Sequence, residues 1–280
     1  MSFDRPYEWP GAGKLFAGEL QTIELMESRG LDVGYAASSD LHEGLVGLAH
    51  RRLFVSSGHD EYYSRAMRSA LESALSGGTS LAFLGANDVY RHIRFESSPL
   101  GRDRIEVNYK VAAEDPFFES DPADSTGNWR EPPVSDPEQQ LLGAQYDCCP
   151  GGDHCPESAF GWTPSAQPGW LFRRTGLRPG VEVPRLIQGE YDRVYPNVPQ
   201  PPGVVVVART ALPCGARAME QDSTFYVAPS GAGVFDAGDE YFACAIGPTP
   251  ARHCGDGRPD RRIERLVWNL FEAMIHRRFV

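Results

Sequence analysis

The sequence predicts an α/β protein built on a doubly wound, mostly parallel sheet. Three observations carry this. Residues 51–87 read as strand, loop, helix, turn, strand, loop, which is a βαβ unit with parallel, neighbouring strands. Short apolar runs at 31–37, 52–56 and 80–84 follow one another with a helical pattern between them, the alternation of a doubly wound sheet. A long amphipathic pattern at 262–277 supplies a closing helix.

Residues 1–14 are loop-like and carry Arg5, Pro6, Tyr7 and Trp9. The pattern at 19–29 predicts a short helix with Leu20, Ile23, Leu25 and Met26 as its apolar residues, capped by Gly30. A strand follows over 31–37. The run Leu53-Phe54-Val55 stops at Ser56-Ser57-Gly58, and His59-Asp60-Glu61 come next. Met67, Ala70, Leu71, Ala74 and Leu75 mark one buried helix face, and Gly77-Gly78 ends it. The run 81–84 ends at Gly85-Ala86-Asn87. In an open parallel sheet, ligands bind beyond the carboxyl ends of the strands. Both polar clusters, His59/Glu61 and Asn87, occupy such ends.

Beyond Asn87 the pattern changes. Residues 104–112 read as an extended strand. Residues 114–170 are rich in Pro, Asp, Gly and Ser, a long irregular insertion. Its anchors (Trp129, Leu141, Leu142, Tyr146, Phe160, Trp162 and Trp170) predict a functional excursion over the active-site mouth. The whole chain, 1–280, is read as one domain. A strand-like run at 182–192 delivers Glu190 and Asp192. The strongest buried-strand signal is 204–209, and 225–227 and 233–235 suggest two short strands. Ile263, Leu266, Val267, Leu270, Phe271, Met274 and Ile275 form the inner face of the last helix.

Of the 280 residues, 41% are apolar and 23% charged, a globular composition with no stretch long enough to span a membrane. The net charge of −11 argues against nucleic acid as a partner. The start, MSFDRPYEWP, shows no secretory signal, so a cytoplasmic location and mostly reduced thiols are expected. The cysteines, Cys148, Cys149, Cys155, Cys214, Cys244 and Cys254, lack paired metal-ligand spacing. Cys148, Cys149, His154 and Cys155 share one Pro/Gly loop, where a metal knuckle, a disulfide or free thiols are the alternatives.

His59 and Glu61 are two apart, so strand geometry would turn both to one side. An imidazole beside a carboxylate serves as a general base or as metal ligands. The competing reading makes Asp60 or Glu61 a complement to the dipole of the helix that follows. Asn87 occupies a sharp turn at a strand end, where many hydrolases hold a nucleophile. An amide cannot attack, but it can orient a substrate or stabilise an oxyanion. The alternative is a turn asparagine in left-handed geometry. Glu190 suits proton transfer if it converges on His59. Otherwise it pairs with Arg185 or Arg193 at the surface.

The ordered motifs SFDRPY, YAASSDLH, SSGHDEYYSRAMR, LAFLGANDVYRHIRFE, LIQGEYDRV, GAGVFDAGDEYF and RLVWNLFEAMI run through almost the whole chain. Together they resemble the carboxyl-terminal domain of the large (beta) subunit of N,N-dimethylformamidase and its relatives, with GHDEYY the most specific segment. The resemblance implies a class I glutamine amidotransferase-like, flavodoxin-like sheet and a hydrolase of small amides that uses a mononuclear ferric ion. It implies that the iron is held by tyrosinates and a glutamate. His59 and Glu61 then match the family's His-x-Glu pair, with Glu61 the expected glutamate ligand of the iron, Asn87 its asparagine and Glu190 its second glutamate. Tyr7 is the expected tyrosine ligand, with Tyr35 the alternative. Family members carry a further tyrosine ahead of the RPY motif, and this sequence starts at that motif. A small partner subunit or a homo-oligomer is the expected assembly, and a small amide the expected substrate. The alternative is a catalytically lapsed domain that binds a ligand or a partner protein. Against a cysteine-dependent amidotransferase stand Asn87 at the elbow and the lack of a cysteine near a strand end of the core.

Overall fold

The computed structural model describes residues 1–4, 15–149, 159–247, 254 and 258–280. Its centre is a five-stranded sheet and three helices. In chain order these are α1 (Leu20–Ser28), β1 (Leu53–Gly58), α2 (Arg65–Ser76), β2 (Ser80–Gly85), β3 (Val205–Cys214), β4 (Arg217–Val227), β5 (Gly233–Asp236) and α3 (Arg261–His276). The strand order is β1-β2-β5-β4-β3. β1 pairs parallel with β2, from Leu53 opposite Ser80 to Gly58 opposite Gly85, as the strand–helix–strand pattern predicts. β5 joins the other side of β2, also parallel. β4 and β3 then extend the sheet antiparallel as a long hairpin.

Side chains alternate across a strand, and β2 shows what this builds. Ala82 and Leu84 enter one core with Phe235 and the α3 residues Ile263, Leu266, Val267, Leu270, Phe271 and Met274. Leu81 and Phe83 enter a second core with Val234 and the α2 residues Met67, Leu71 and Ala74. Because both faces of β2 are covered, its six residues are all buried and read as one apolar run. Its last residue must be glycine. A Cβ on Gly85 would stand 1.6 Å from the carbonyl oxygen of Gly58, so the ends of β1 and β2 meet backbone to backbone.

Several expectations need correction. Residues 31–37 form no strand. An alternating pattern becomes a strand only with a ladder partner; here Tyr35 is 59% exposed and its hydroxyl donates to Glu27 of α1. The run at 182–192 is two strands, Val183–Ile187 and Tyr191–Arg193, broken at Gly189 with φ +67°. The strand expected at 104–112 is Gly101–Val107, hairpinned to Arg91–Ser98. Helix α2 begins at Arg65, where the Ser64 hydroxyl accepts from Met67 N at 3.3 Å. Asp60 and Glu61 therefore precede a strand, Tyr62–Ser64, and do not sit on the helix's first turn.

The cysteines are also not reduced. Cys148 is bonded to Cys214 and Cys244 to Cys254, with Cα atoms 5.9 and 5.7 Å apart. The sequence places Cys148 and Cys214 66 residues apart, so only the fold reveals them as neighbours. Cys148 in a disulfide offers no thiolate to a metal knuckle. His154 and Cys155 lie outside the described residues.

Candidate functional site

Three parallel strands end side by side, and each passes directly into a polar turn. β1 leads to His59 and Glu61, β2 to Asn87, and β5 to Glu240. Glu190 arrives from the turn between Val183–Ile187 and Tyr191–Arg193. That turn is sewn to the end of β5: Glu240 N donates to Glu190 O at 3.1 Å, and Glu190 N donates to Glu240 Oε2 at 3.2 Å.

His59 is the hub. Its Nε2 lies 3.3 Å from Glu61 Oε2 and its Nδ1 lies 3.3 Å from Glu190 Oε2. The two carboxylates therefore flank opposite edges of one imidazole. Asn87 Nδ2 donates to Glu190 Oε2 at 2.8 Å. Its backbone is left-handed, with φ +58°, and its backbone N donates to Asp192 Oδ1 at 2.9 Å. Both readings of Asn87 are thus realised: it makes the turn, and it reaches into the site. Glu61 is balanced on its far side by Arg91, whose Nε lies 3.3 Å from Oε1. Arg91 in turn donates to Asn128.

The electrostatics follow from this layout. Burial disfavours the imidazolium of His59. Hydrogen bonding to Glu61 and the charges of Glu190, Glu240 and Glu61 outweigh it, and the pKa is raised. Glu61 is also partly buried, but hydrogen bonds from His59 and Tyr62 and the charges of His59 and Arg91 hold its pKa below the usual range. Burial raises the pKa of Glu190, aided by Glu240 and Glu61. Behind the site lies a floor of fully buried carboxyls: Asp88, Asp192, Asp236 and Asp239. Burial pushes all four upward, Asp192 to about 7.

Within the 114–170 stretch, Tyr146 has its ring 5.1 Å from that of Tyr90. Burial raises the phenol pKa of Tyr146, and the nearby charges of Glu190 and Glu61 add to the effect. The same segment is anchored by the buried Trp129, Leu141, Leu142 and Trp162.

His59, Glu61, Asn87 and Glu190 are therefore brought together. Tyr7 lies outside the described residues. Tyr35, the alternative phenol, is bonded to Glu27 away from the cluster. Glu240 was not singled out in the sequence. Its signal was present, since GVFDAGDE is a strand followed by a polar turn, as in the other two strand ends.

A hard ferric ion prefers anionic oxygen donors. The residues here suit a hard cation: His59, Glu190 and Glu240 each offer one ligand atom, all within 4.8 Å of one another. Two buried polar atoms, His59 Nδ1 and Asn87 Oδ1, lack a hydrogen-bond partner beside them. Among the described residues, no helix is long and apolar enough to cross a membrane.

Compared with the curated proteins, the sequence finds no match. A family model described as "N,N-dimethylformamidase beta subunit-like, C-terminal" matches residues 1–256. That match covers most of the 280 residues, and the chain belongs to this family.

Proposed function

We propose that the chain is a metal-dependent hydrolase of small, formamide-type amides, acting at the crevice beyond β1, β2 and β5. The observation that carries this is the contact chain Asn87–Glu190–His59, with separations of 2.8 and 3.3 Å. Amide hydrolysis needs a proton taken from water and a proton given to the departing nitrogen. Glu190 is placed to do both, because one carboxylate can accept a proton and later return it. Asn87 fixes that carboxylate with one amide hydrogen. Its second amide hydrogen and its unpartnered Oδ1 remain to orient the substrate carbonyl or the water. His59, braced by Glu61, sets the charge beside Glu190. A bound ferric ion would polarise the amide carbonyl and acidify water in the same crevice.

The family description names a beta subunit, so a partner subunit is part of this proposal, as is Tyr146 with its segment forming a wall of the crevice mouth. The cytoplasmic location expected from the sequence fits poorly with the Cys148–Cys214 and Cys244–Cys254 disulfides, since such bonds persist in oxidising compartments. The test is hydrolysis of a formamide substrate by the metal-loaded chain, followed as amine release. Activity that falls about 10²-fold or more in Glu190→Gln supports the reading. A folded, metal-loaded chain with no turnover of any small amide would favour the lapsed, ligand-binding domain.

A further inference from the structure

We propose that the Cys148–Cys214 disulfide is a reducible lock on the strand that carries Tyr146, opened by a dithiol reductant with Cys214 leaving as a thiolate beside Arg217. The lock stands on the geometry of this corner and not on the proposed reaction.

The bond lies at the outer end of the β3–β4 hairpin. Cys214 is the last residue of β3 and Arg217 the first of β4, and residues 215–218 are all exposed. Cys148 ends the strand Gln145–Cys148, which pairs antiparallel with Tyr191–Arg193. In that pairing Cys148 stands opposite Tyr191 and Tyr146 opposite Asp192. One covalent link therefore fastens the strand of Tyr146 to the tip of the edge hairpin.

Two features make this bond labile. The first is access. Cys148 and Cys214 are each 7% exposed, beside the open turn, whereas Cys244 and Cys254 are each 2% exposed. The second is charge. Arg217 Nη2 donates to Cys214 Sγ at 2.9 Å. A cation beside a cysteine lowers the thiol pKa, and a thiol of lower pKa leaves faster in exchange. Cys214 is thus the leaving group, and Cys148 Sγ is the sulfur attacked.

A thiolate of the reductant bonds to Cys148 Sγ as the Cys148–Cys214 bond breaks, and the electron pair leaves on Cys214 Sγ. The reductant's second thiolate then closes on its own partner sulfur and expels Cys148. The dithiol is oxidised to its disulfide, and the chain gains two electrons. Of the two protons the dithiol gives up, one goes to Cys148 and one to solvent, since Cys214 stays a thiolate beside Arg217. With the link gone, Gln145–Cys148 keeps its pairing with Tyr191–Arg193, and Arg130 Nη2 still donates to Tyr146 O at 2.9 Å. The hairpin tip keeps the long contact from Arg193 Nη1 to Met219 Sδ, 3.8 Å. Opening therefore loosens this corner without unfolding the sheet.

The test is the order in which the thiols appear. The oxidised full chain is incubated with dithiothreitol, trapped with N-ethylmaleimide at intervals and mapped by mass spectrometry. Cys148 and Cys214 are expected to label about tenfold or more faster than Cys244 and Cys254. Arg217→Ala should slow their labelling by about tenfold, and Arg217→Lys, which keeps a cation, should stay within about threefold of wild type. In the chain opened at this bond alone, amides within 145–148 and 212–219 should exchange hydrogen about tenfold or more faster, with those of α3 unchanged. Circular dichroism confirms that each variant is folded. Labelling of all four cysteines at one rate, equal or faster labelling in Arg217→Ala, or unchanged exchange at 145–148 overturns the lock.

Discussion

Asn87 donates from Nδ2 to Glu190 Oε2 at 2.8 Å, joining side chains 103 residues apart at the end of strand β2. The contact sets the orientation of the carboxylate that the proposed chemistry needs. It also ties a turn in left-handed geometry to a function that the turn alone does not require.

Asn87 therefore serves two ends, and two substitutions separate them. Asn87→Gly keeps the left-handed backbone at little cost and removes the amide. Asn87→Ala removes the amide and adds backbone strain of about 1 kcal/mol. Both variants should lose about 10²-fold in kcat/KM for a formamide substrate, while Asn87→Ala should lower the melting temperature further than Asn87→Gly. Equal activity in Asn87→Gly and wild type would make the residue a turn former alone.

Gly189 governs the position of Glu240. Its φ is +67°, and a Cβ there would stand 2.3 Å from Glu240 Oε2. Gly189→Ala should cost about 1–3 kcal/mol of stability and, by displacing Glu240 from the crevice, lower kcat/KM for a formamide substrate. Denaturant unfolding and the amine-release assay check the two effects separately.

The Cys148–Cys214 bond ties the strand that carries Tyr146 to the edge strand β3, closing a separation of 66 residues. In the chain-entropy account a loop of that size is worth about 4 kcal/mol. The double variant Cys148→Ser/Cys214→Ser should show this loss in urea unfolding. Wild type treated with a thiol reductant also loses Cys244–Cys254, so its midpoint should fall at least as far.

The buried Asp192 and Asp236 predict how stability changes with pH. Burial raises the pKa of Asp192 to about 7 and that of Asp236 well above its usual value, with Asp192 adding to the shift of Asp236. The unfolded chain releases these protons near pH 4, whereas the folded chain keeps them. The folded state thus binds more protons, so this contribution is complete below about pH 4 and is lost as pH rises through 7 and beyond. His92, whose pKa burial lowers to about 4, acts in the opposite sense but only below its unfolded value. Urea unfolding between pH 6.5 and 8.5 should therefore show falling stability. Asp236→Asn should flatten the fall and gain about 1 kcal/mol or more at pH 8.

Much of the site's layout was legible because it lies in local pattern. The βαβ unit shows in the apolar runs, and its strand ends point to His59, Glu61 and Asn87. Glu190 followed from the resemblance and from its place after a strand-like run. Glu240 did not, because β5 is short and its parallel neighbour β2 lies about 150 residues earlier in the chain. A reader of the sequence cannot tell that the two share a sheet. The same limit hid the disulfides. Residues 31–37 misled for the opposite reason: the local pattern is right for a strand, but no partner lies alongside. The long β3–β4 hairpin was read as two short runs because its outer half alternates exposed and buried residues without matching polarity, as in Arg209, Thr210, Ala211 and Leu212.

The most direct test of the central claim is the rate of amine release from a formamide substrate by metal-loaded wild type and Glu190→Gln, measured side by side with folding confirmed. The account predicts turnover in the wild type and a loss of about 10²-fold or more in the variant. Equal rates in the two proteins would contradict it.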